Sequence, residues 1–583
     1  MIRTLFLLIC LLFSFHSTSV NATPAQQLQR VIDDHWQYSL KESPILAGRM
    51  GIAGSNHRLP GVAGTDRQRR LAAEREFLAR LNAIDTGALT PADRTNHALL
   101  TWVLKNSVRD NELFLDRIPL NTFYTFVSAA NNASKGLAMP TVKDYEDYLK
   151  RLADFDRYFN ENIANMREGI KTGFVLPRIV VTGIAPTVRA QVYKNPEDSS
   201  LYQPFTQMPA NFSAKDKARL AAAGKKVLRE KTLPALARVA DFLEGEYLNA
   251  ATDTLGAEQL PDGKAYYRHA IETYVTQAMD PDDIHQTGLA EVKRIRAEMD
   301  ALIKQSGFKG DFKAFTHFLR TDPQFYAKTP EELLMRAAYI AKRVDYQLPA
   351  FFGHLPRTPY GIVPVPKEIA PNYTTASYNP PAIGGTHGGA YWLNTYDLSQ
   401  RPLYELPALT LHEAVPGHHL QGALSQELEN VPNFRKNLYL SAFGEGWALY
   451  TERLGKEMDI YDTPYEHFGR LSYEMWRACR LVIDTGIHSQ GWSREQALAF
   501  LADNTALSEG NVRAEVDRYI SWPGQALSYK MGEIKIRELR ARAEKALGDK
   551  FDLREFHDTL LSDGALPLVM LEAKMDAYIQ SNK

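Results

Sequence analysis

Apolar residues recur along most of this chain at three- and four-residue steps, the spacing that gathers side chains on one face of an α-helix. From Tyr145 to Lys171 the rhythm is carried by Tyr148, Leu149, Leu152, Phe155, Tyr158 and Phe159, and Gly173 predicts the stop. It resumes from Ala214 to Leu248, with Pro234 predicting a kink or break. Asp280-Pro281 reads as an N-cap with proline at the first helical position, opening a helix to about Ser306. Further helices are predicted over Glu331–Tyr346, Ser441–Met458, Glu466–Ile487, Arg494–Leu507 and Gly524–Leu547. The aromatic stripes on these helices read as core.

The rhythm fails between Arg357 and Pro407, a stretch rich in proline and glycine. There Gly384-Gly385-Thr386-His387-Gly388-Gly389 precedes Ala390-Tyr391-Trp392-Leu393-Asn394-Thr395, which reads as a β-strand. The expected fold is therefore mainly α, a large two-lobed helical body with a small β element just before the helix that starts at Leu406. An N-terminal helical lobe is expected over 23–265 and a second lobe over 266–583, joined in one continuous body.

That second lobe holds the most distinctive chemistry. His412, Glu413, His418 and His419 fall within eight residues, directly after the apolar run Leu406–Leu411. A His-Glu pair on a helix followed by another histidine is how zinc hydrolases build a site: two imidazoles hold the metal and the glutamate deprotonates water. The usual spacing is i, i+4, whereas His418 is at i+6 and His419 at i+7. On a straight helix i+7 shares a face with His412 but lies roughly 10 Å along the axis, too far for one metal. Pro416 lacks the N–H that would bond the carbonyl of His412, and Gly417 tolerates unusual dihedrals. These two residues predict a local bulge that brings His418 to the ligand position, with His419 as the alternative. The competing expectation is a helix that ends at Val415 and leaves the histidines in a polar loop.

A third ligand is expected downstream, in Phe443-Gly444-Glu445-Gly446-Trp447-Ala448-Leu449-Tyr450-Thr451-Glu452. Glu445 opens a helix between glycines that permit close approach of another backbone. Glu452 shares its face two turns on and suits orientation of a ligand imidazole.

Leu406–Gln421 with Glu405 before it, Gly444–Glu452, Asp484–Trp492 and Trp522–Gly532 resemble the bacterial family catalogued as domain of unknown function 885, a group related to the gluzincin metallopeptidases. Weaker similarity runs through most of the chain. The resemblance implies a metallopeptidase-like fold and hydrolysis by a bound Zn2+, without naming a substrate. It also implies an edge strand near the metal that takes the substrate backbone as an added strand. Ala390–Thr395 is the candidate, with Tyr391 and Asn394 as substrate contacts and His387 as a weaker one.

Amide hydrolysis needs a donor aimed at the developing oxyanion. His488, one turn after Asp484, is a candidate whose imidazole that carboxylate would orient. Tyr519 and Tyr529, on either side of Trp522-Pro523-Gly524-Gln525, are the others. Arg518, with Arg513 and Lys530, is a candidate for a substrate carboxylate.

Composition narrows the setting. Lys plus Arg is 68 against Asp plus Glu at 69, with no long single-sign run, so nothing points to nucleic acid or an anionic membrane surface. Residues 1–22 read as a secretory signal: Arg3, the apolar Leu5–Phe15 and the small-residue site Val20-Asn21-Ala22. Cys10 lacks lipoprotein-signal context, and Cys479 would be the one cysteine left after cleavage. The expectation is an exported protein of the bacterial periplasm, with no membrane span in the mature chain and no disulfide. The sequons at Asn132, Asn211 and Asn372 add little. The sequence thus points to an exported zinc peptidase acting on short peptides. A hydrolase of non-peptide amides and a non-catalytic binding protein are the other classes left open, as is the oligomeric state.

Overall fold

The structure, a computed structural model, describes residues 22–583 apart from 136, 138, 368, 382–385 and 437. The expected export signal, except Ala22, and part of the glycine run at 384–389 lie outside the described residues. Helix holds 70% of the chain and strand 4%, which makes the fold mainly α. No described helix is long and apolar enough to cross a membrane.

Local chemistry sets the helix ends. The predicted helix from Tyr145 to Lys171 is two, Val142–Ala153 and Phe155–Thr172. They part at Asp154, whose carboxylate takes the Leu59 N–H and the Arg157 guanidinium instead of facing along a helix. Gly173, at φ 74°, closes the second in the left-handed region that an L side chain avoids. At Pro234 the helix widens rather than ends: a π-turn at Leu228–Thr232 precedes Leu233–Phe242, absorbing the missing N–H. Two apolar cores form, and each draws on residues from both sides of residue 265. One joins Leu28, Leu99 and Tyr267 to Leu411, Trp447 and Leu571. The other joins Tyr148, Phe159 and Val239 to Met475, Val516 and Tyr519.

The elements around the site follow in chain order: α1 (Pro281–Gln305), β1 (Tyr360–Pro364), β2 (Ala376–Asn379), β3 (Gly389–Leu393), α2 (Leu406–Glu413), α3 (His418–Glu427), α4 (Ser441–Leu454), α5 (Pro464–His488), α6 (Glu509–Ser521) and α7 (Ser528–Leu547). The sheet order is β1-β3-β2, with β1 parallel and β2 antiparallel to β3. The strand expected at the edge is therefore the central one. Its partners escaped the sequence reading because Tyr-Gly-Ile-Val-Pro does not alternate apolar with polar residues, and Ala-Ser-Tyr-Asn, which does, is only four residues long.

Helices α1, α5 and α7 are tied by a buried ionic cluster. Lys530 Nζ lies 2.9 Å from each of Glu291, Glu474 and Glu533, and Glu474 also takes Arg470 and Arg294. Lys530 is fully buried there, which corrects the expectation that it meets substrate. Helix α4 crosses α7 where Gly446 meets Gly532. A Cβ on Gly532 would stand 2.0 Å from the Ala442 carbonyl oxygen, and one on Gly446 would stand 2.5 Å from Gly532 Cα. Replacing Gly532 with alanine must push the helices apart and is expected to cost about 3 kcal/mol or more. A denaturant midpoint equal to that of the parent chain would contradict this packing.

Candidate metal centre

Helix α2 carries Pro407 in its first turn, where a missing N–H costs nothing, and runs to Glu413. It then stops: Ala414 leaves the helical region at φ −94°, ψ −116°, the Val415–Pro416 peptide is cis, and α3 begins at His418. The expected bulge in one continuous helix is thus corrected to a break between two. Pro416 has no N–H to offer the carbonyl of His412. At Gly417 a Cβ would stand 2.0 Å from that same oxygen, so only glycine lets the chain double back this tightly. The connection is pinned from three sides. The His419 N–H reaches the Ala414 oxygen (3.0 Å), Trp447 Nε1 donates to the Pro416 oxygen (2.8 Å), and Thr451 Oγ1 donates to the Leu411 oxygen (3.0 Å). His418 is thereby returned to His412, the rings 4.8 Å apart at centroid and nearly perpendicular.

Helix α4 closes the cluster. Glu445 Oε2 lies 3.5 Å from His412 Nε2 and 3.4 Å from His418 Nε2, and the three candidate ligand atoms lie within 4.8 Å of one another. Tyr439 donates its hydroxyl to Glu445 Oε1 at 2.9 Å. Two turns along α4, Glu452 Oε1 accepts from His412 Nδ1 at 2.8 Å, which fixes the tautomer and turns Nε2 toward the cluster. Burial opposes a charge on His412, but the carboxylates of Glu445 and Glu452 outweigh it and push its pKa up to about 10. Burial likewise opposes ionisation of Glu445, yet the two imidazoles hold its carboxyl well below the usual range. Two imidazole nitrogens, one carboxylate oxygen and a buried carboxylate behind one imidazole form a donor set that fits a tetrahedral divalent cation with an open fourth position. Glu413, 8% exposed, lines the same cleft, and its carboxylate makes no hydrogen bond to another described residue.

The other expected site residues divide by where they point. Tyr529 and Arg518 line the cleft. His419 is corrected as an alternative ligand: its ring turns to the sheet, Nδ1 3.1 Å from the Tyr378 hydroxyl, and burial lowers its pKa to about 4. His488 is corrected as an oxyanion donor, because both nitrogens are spent on backbone. Nδ1 accepts from the Ala257 N–H (3.1 Å) and Nε2 donates to the Tyr519 oxygen (2.9 Å). Asp484 does not orient it; its carboxylate takes the Tyr267 hydroxyl (2.7 Å) and the Gly524 N–H (3.1 Å). Tyr519 is buried, donating to Glu515 and accepting from Trp476 and Arg480. Tyr391 is corrected as a substrate contact, since it lies on the buried face of β3. Asn394 is too: it donates to the carbonyls of Ala370, Tyr373 and Thr374 and is fully buried. Arg513 is exposed and pairs with Glu509, and His387 is exposed and not among the described residues that line the cleft.

The cleft measures about 680 Å³. Its rim includes residues that no spacing rule singles out: Tyr439, which reaches Glu445 from a loop, Ser377 and Tyr378 on β2, and Trp476 and Arg480 on α5. The strand that lines the cleft with His412, His418 and Glu445 is therefore β2, an edge strand of the sheet among the described residues.

Two outcomes follow from this geometry. Glu452→Gln, which weakens the partner of His412 Nδ1, is expected to lower metal affinity about 10- to 100-fold, read by competitive titration with a chromogenic chelator. Gly417→Ala is expected to abolish stoichiometric metal uptake, because the loop cannot close on His412; a full complement of metal by elemental analysis would disprove that account.

No curated protein matches the sequence. Two solved structures resemble it along nearly all its length. "The crystal structure of the putative lipoprotein from Colwellia psychrerythraea" aligns at a TM-score of 0.89 and 27% identity, covering 96% of this chain and 100% of that one. "The structure of a putative lipoprotein of unknown function from Shewanella oneidensis" aligns at 0.75 and 19% identity, covering 95% and 100%, a likeness of fold alone. Residues 44–575 match the family described as "Bacterial protein of unknown function (DUF885)", and the chain belongs to that family.

Proposed function

We propose that the protein is an exported zinc peptidase that hydrolyses short peptides, with a gluzincin-like site in which His412, His418 and Glu445 hold the metal. The observation that carries this reading is the convergence of those three donor atoms beside Glu413, a carboxylate that lines the cleft and makes no other described hydrogen bond. A His₂Glu set with a neighbouring free glutamate is the equipment of a hydrolase rather than of a structural metal clip, which would close all four positions. Zinc, when bound, supplies Lewis acidity toward a carbonyl oxygen and lowers the pKa of water.

The chain's own residues do the rest. Glu413 takes a proton from the attacking water and passes it to the leaving amine nitrogen. Glu452 keeps His412 in the tautomer that presents Nε2. Tyr529, 9% exposed and lining the cleft, is the phenol of the three expected oxyanion donors that opens to the reacting carbonyl. The free edge of β2 offers backbone N–H and C=O groups to an extended peptide, and a volume near 680 Å³ suits a short one. Export is part of the proposal. It rests on the apparent signal at residues 1–22 and on the word lipoprotein in the titles of both structural relatives.

Glu413→Gln is expected to keep its zinc and to lose about 10²- to 10⁴-fold in kcat, measured on a library of short peptides with elemental analysis of the same samples. Parent-like turnover in that variant would overturn the assignment.

A further inference from the structure

The wall of the cleft built by α5, α6 and α7 carries more positive charge than it neutralises. Arg480 Nη2 lies 3.0 Å from Glu515 Oε2, and Arg518 Nη1 lies 3.6 Å from Glu515 Oε1. Neither guanidinium has another carboxylate within 4.0 Å among the described residues, so two cations share one anion and one positive charge is left over. Tyr519 donates to the same Glu515 oxygen that Arg480 uses, which draws further on that single carboxylate. Both arginines line the cleft; Arg480 is 2% exposed, and its Nη1 has no hydrogen-bond partner. A buried, unbalanced charge is costly unless an anion completes it.

The arrangement is also preorganised. Arg518 is held by Gln525 Oε1 at 2.6 Å, and its guanidinium lies 5.3 Å and 5.8 Å from the ring centroids of Phe123 and Trp522. Arg480 is held against the rings of Trp476 and Tyr529, at 4.6 Å and 4.3 Å. Arg477, the third arginine of the cleft, is turned away to the Tyr473 carbonyl and toward Glu452. Arg518 Nη2 lies 3.4 Å from the Tyr529 hydroxyl, the group assigned above to the oxyanion. An anion at Arg518 is thus separated from the reacting carbonyl by one phenol. Because an extended chain advances about 3.3–3.6 Å per residue, that leaves room for one or two residues between them.

We propose that Arg518, backed by Arg480, anchors the α-carboxylate of the substrate, so that the protein works as an exopeptidase from the C-terminus and releases a fragment of one or two residues. This rests on the peptidase reading and names its substrate class. In the step itself the peptide C–N bond one or two residues from the anchored carboxylate breaks and the water oxygen joins the carbonyl carbon. The proton collected by Glu413 goes to the nitrogen of the released fragment.

The test uses the zinc-loaded full chain and one peptide in three forms: free acid, C-terminal amide and N-acetylated acid. Amidation is expected to lower kcat/KM about 10- to 100-fold, the loss of one charge-assisted contact, while N-acetylation changes little. Arg518→Gln is expected to bring the acid-to-amide ratio toward one, and Arg518→Lys to restore part of it. Mass spectrometry should find fragments leaving from the C-terminus. Equal rates on acid and amide, or fragments leaving from the N-terminus, would overturn the anchor and leave the peptidase reading standing. Calorimetry on Glu413→Gln separates the two failures. Acid-selective binding that is lost in the Glu413→Gln, Arg518→Gln double variant, with no cleavage by the parent, would sink the peptidase reading and keep the anchor. An amidated peptide ending in glutamate that binds as well as the free acid would move the site to acidic side chains and overturn the C-terminal assignment.

Discussion

The hydrogen bond from His412 Nδ1 to Glu452 is the contact on which the rest of the site depends. It selects one of two tautomers for a buried imidazole and so decides which nitrogen faces the cluster. It also joins α2 to α4 at the level where α4 presents Glu445, seven residues earlier on the same face. One helix therefore supplies both a candidate ligand and the group that aims another ligand. A shift of α4 along its axis would misplace both together, and the contact between Gly446 and Gly532 fixes how closely α4 can lie on α7.

The interior around this contact is unusually ionic for a buried region. Lys530 is surrounded by three carboxylates, Arg470 and Arg294 reach the same Glu474, and Arg480 shares Glu515 with Arg518. Desolvating so many charges is repaid only where each finds a partner, and the Lys530 cluster meets that condition. The Glu515 cluster does not, and it is the one that opens on the cleft. The contrast separates charge that binds helices together from the charge on which the proposed carboxylate anchor rests.

Much of the fold was legible in the sequence, because helical spacing of apolar residues is a strong signal and most elements here are helices. The candidate metal residues were legible for another reason: imidazoles and a carboxylate at short spacing, followed by Glu445 and Glu452 on one helix face two turns apart, are chemically conspicuous. Position within a turn was not. His488 is one turn from Asp484, yet each finds its partners on other segments, His488 at Ala257 and Tyr519, Asp484 at Tyr267 and Gly524. Spacing along one helix says which residues share a face but not what that face meets. The sheet was misread at its edge because pairing is non-local: β3 has the clear pattern, and the strand that reaches the cleft is the short, mixed β2. The bulge was misread because a sequence records the residues that prevent a helix from continuing but not whether it bends or restarts.

Strand β2, an edge of the sheet among the described residues, lines the cleft through Ala376, Ser377 and Tyr378. Exposed strand edges elsewhere invite pairing with any similar edge, including that of a second copy of the same protein. Here Ala376, Ser377 and Tyr378 line the cleft together with Tyr439 and the arginine-bearing helices, and under the proposed function the partner of that strand would be a single extended peptide. A natively folded protein cannot present its backbone in that way. A peptidase of the proposed kind would thereby favour short or disordered polypeptides before any side chain is compared, and could share a compartment with intact proteins without degrading them.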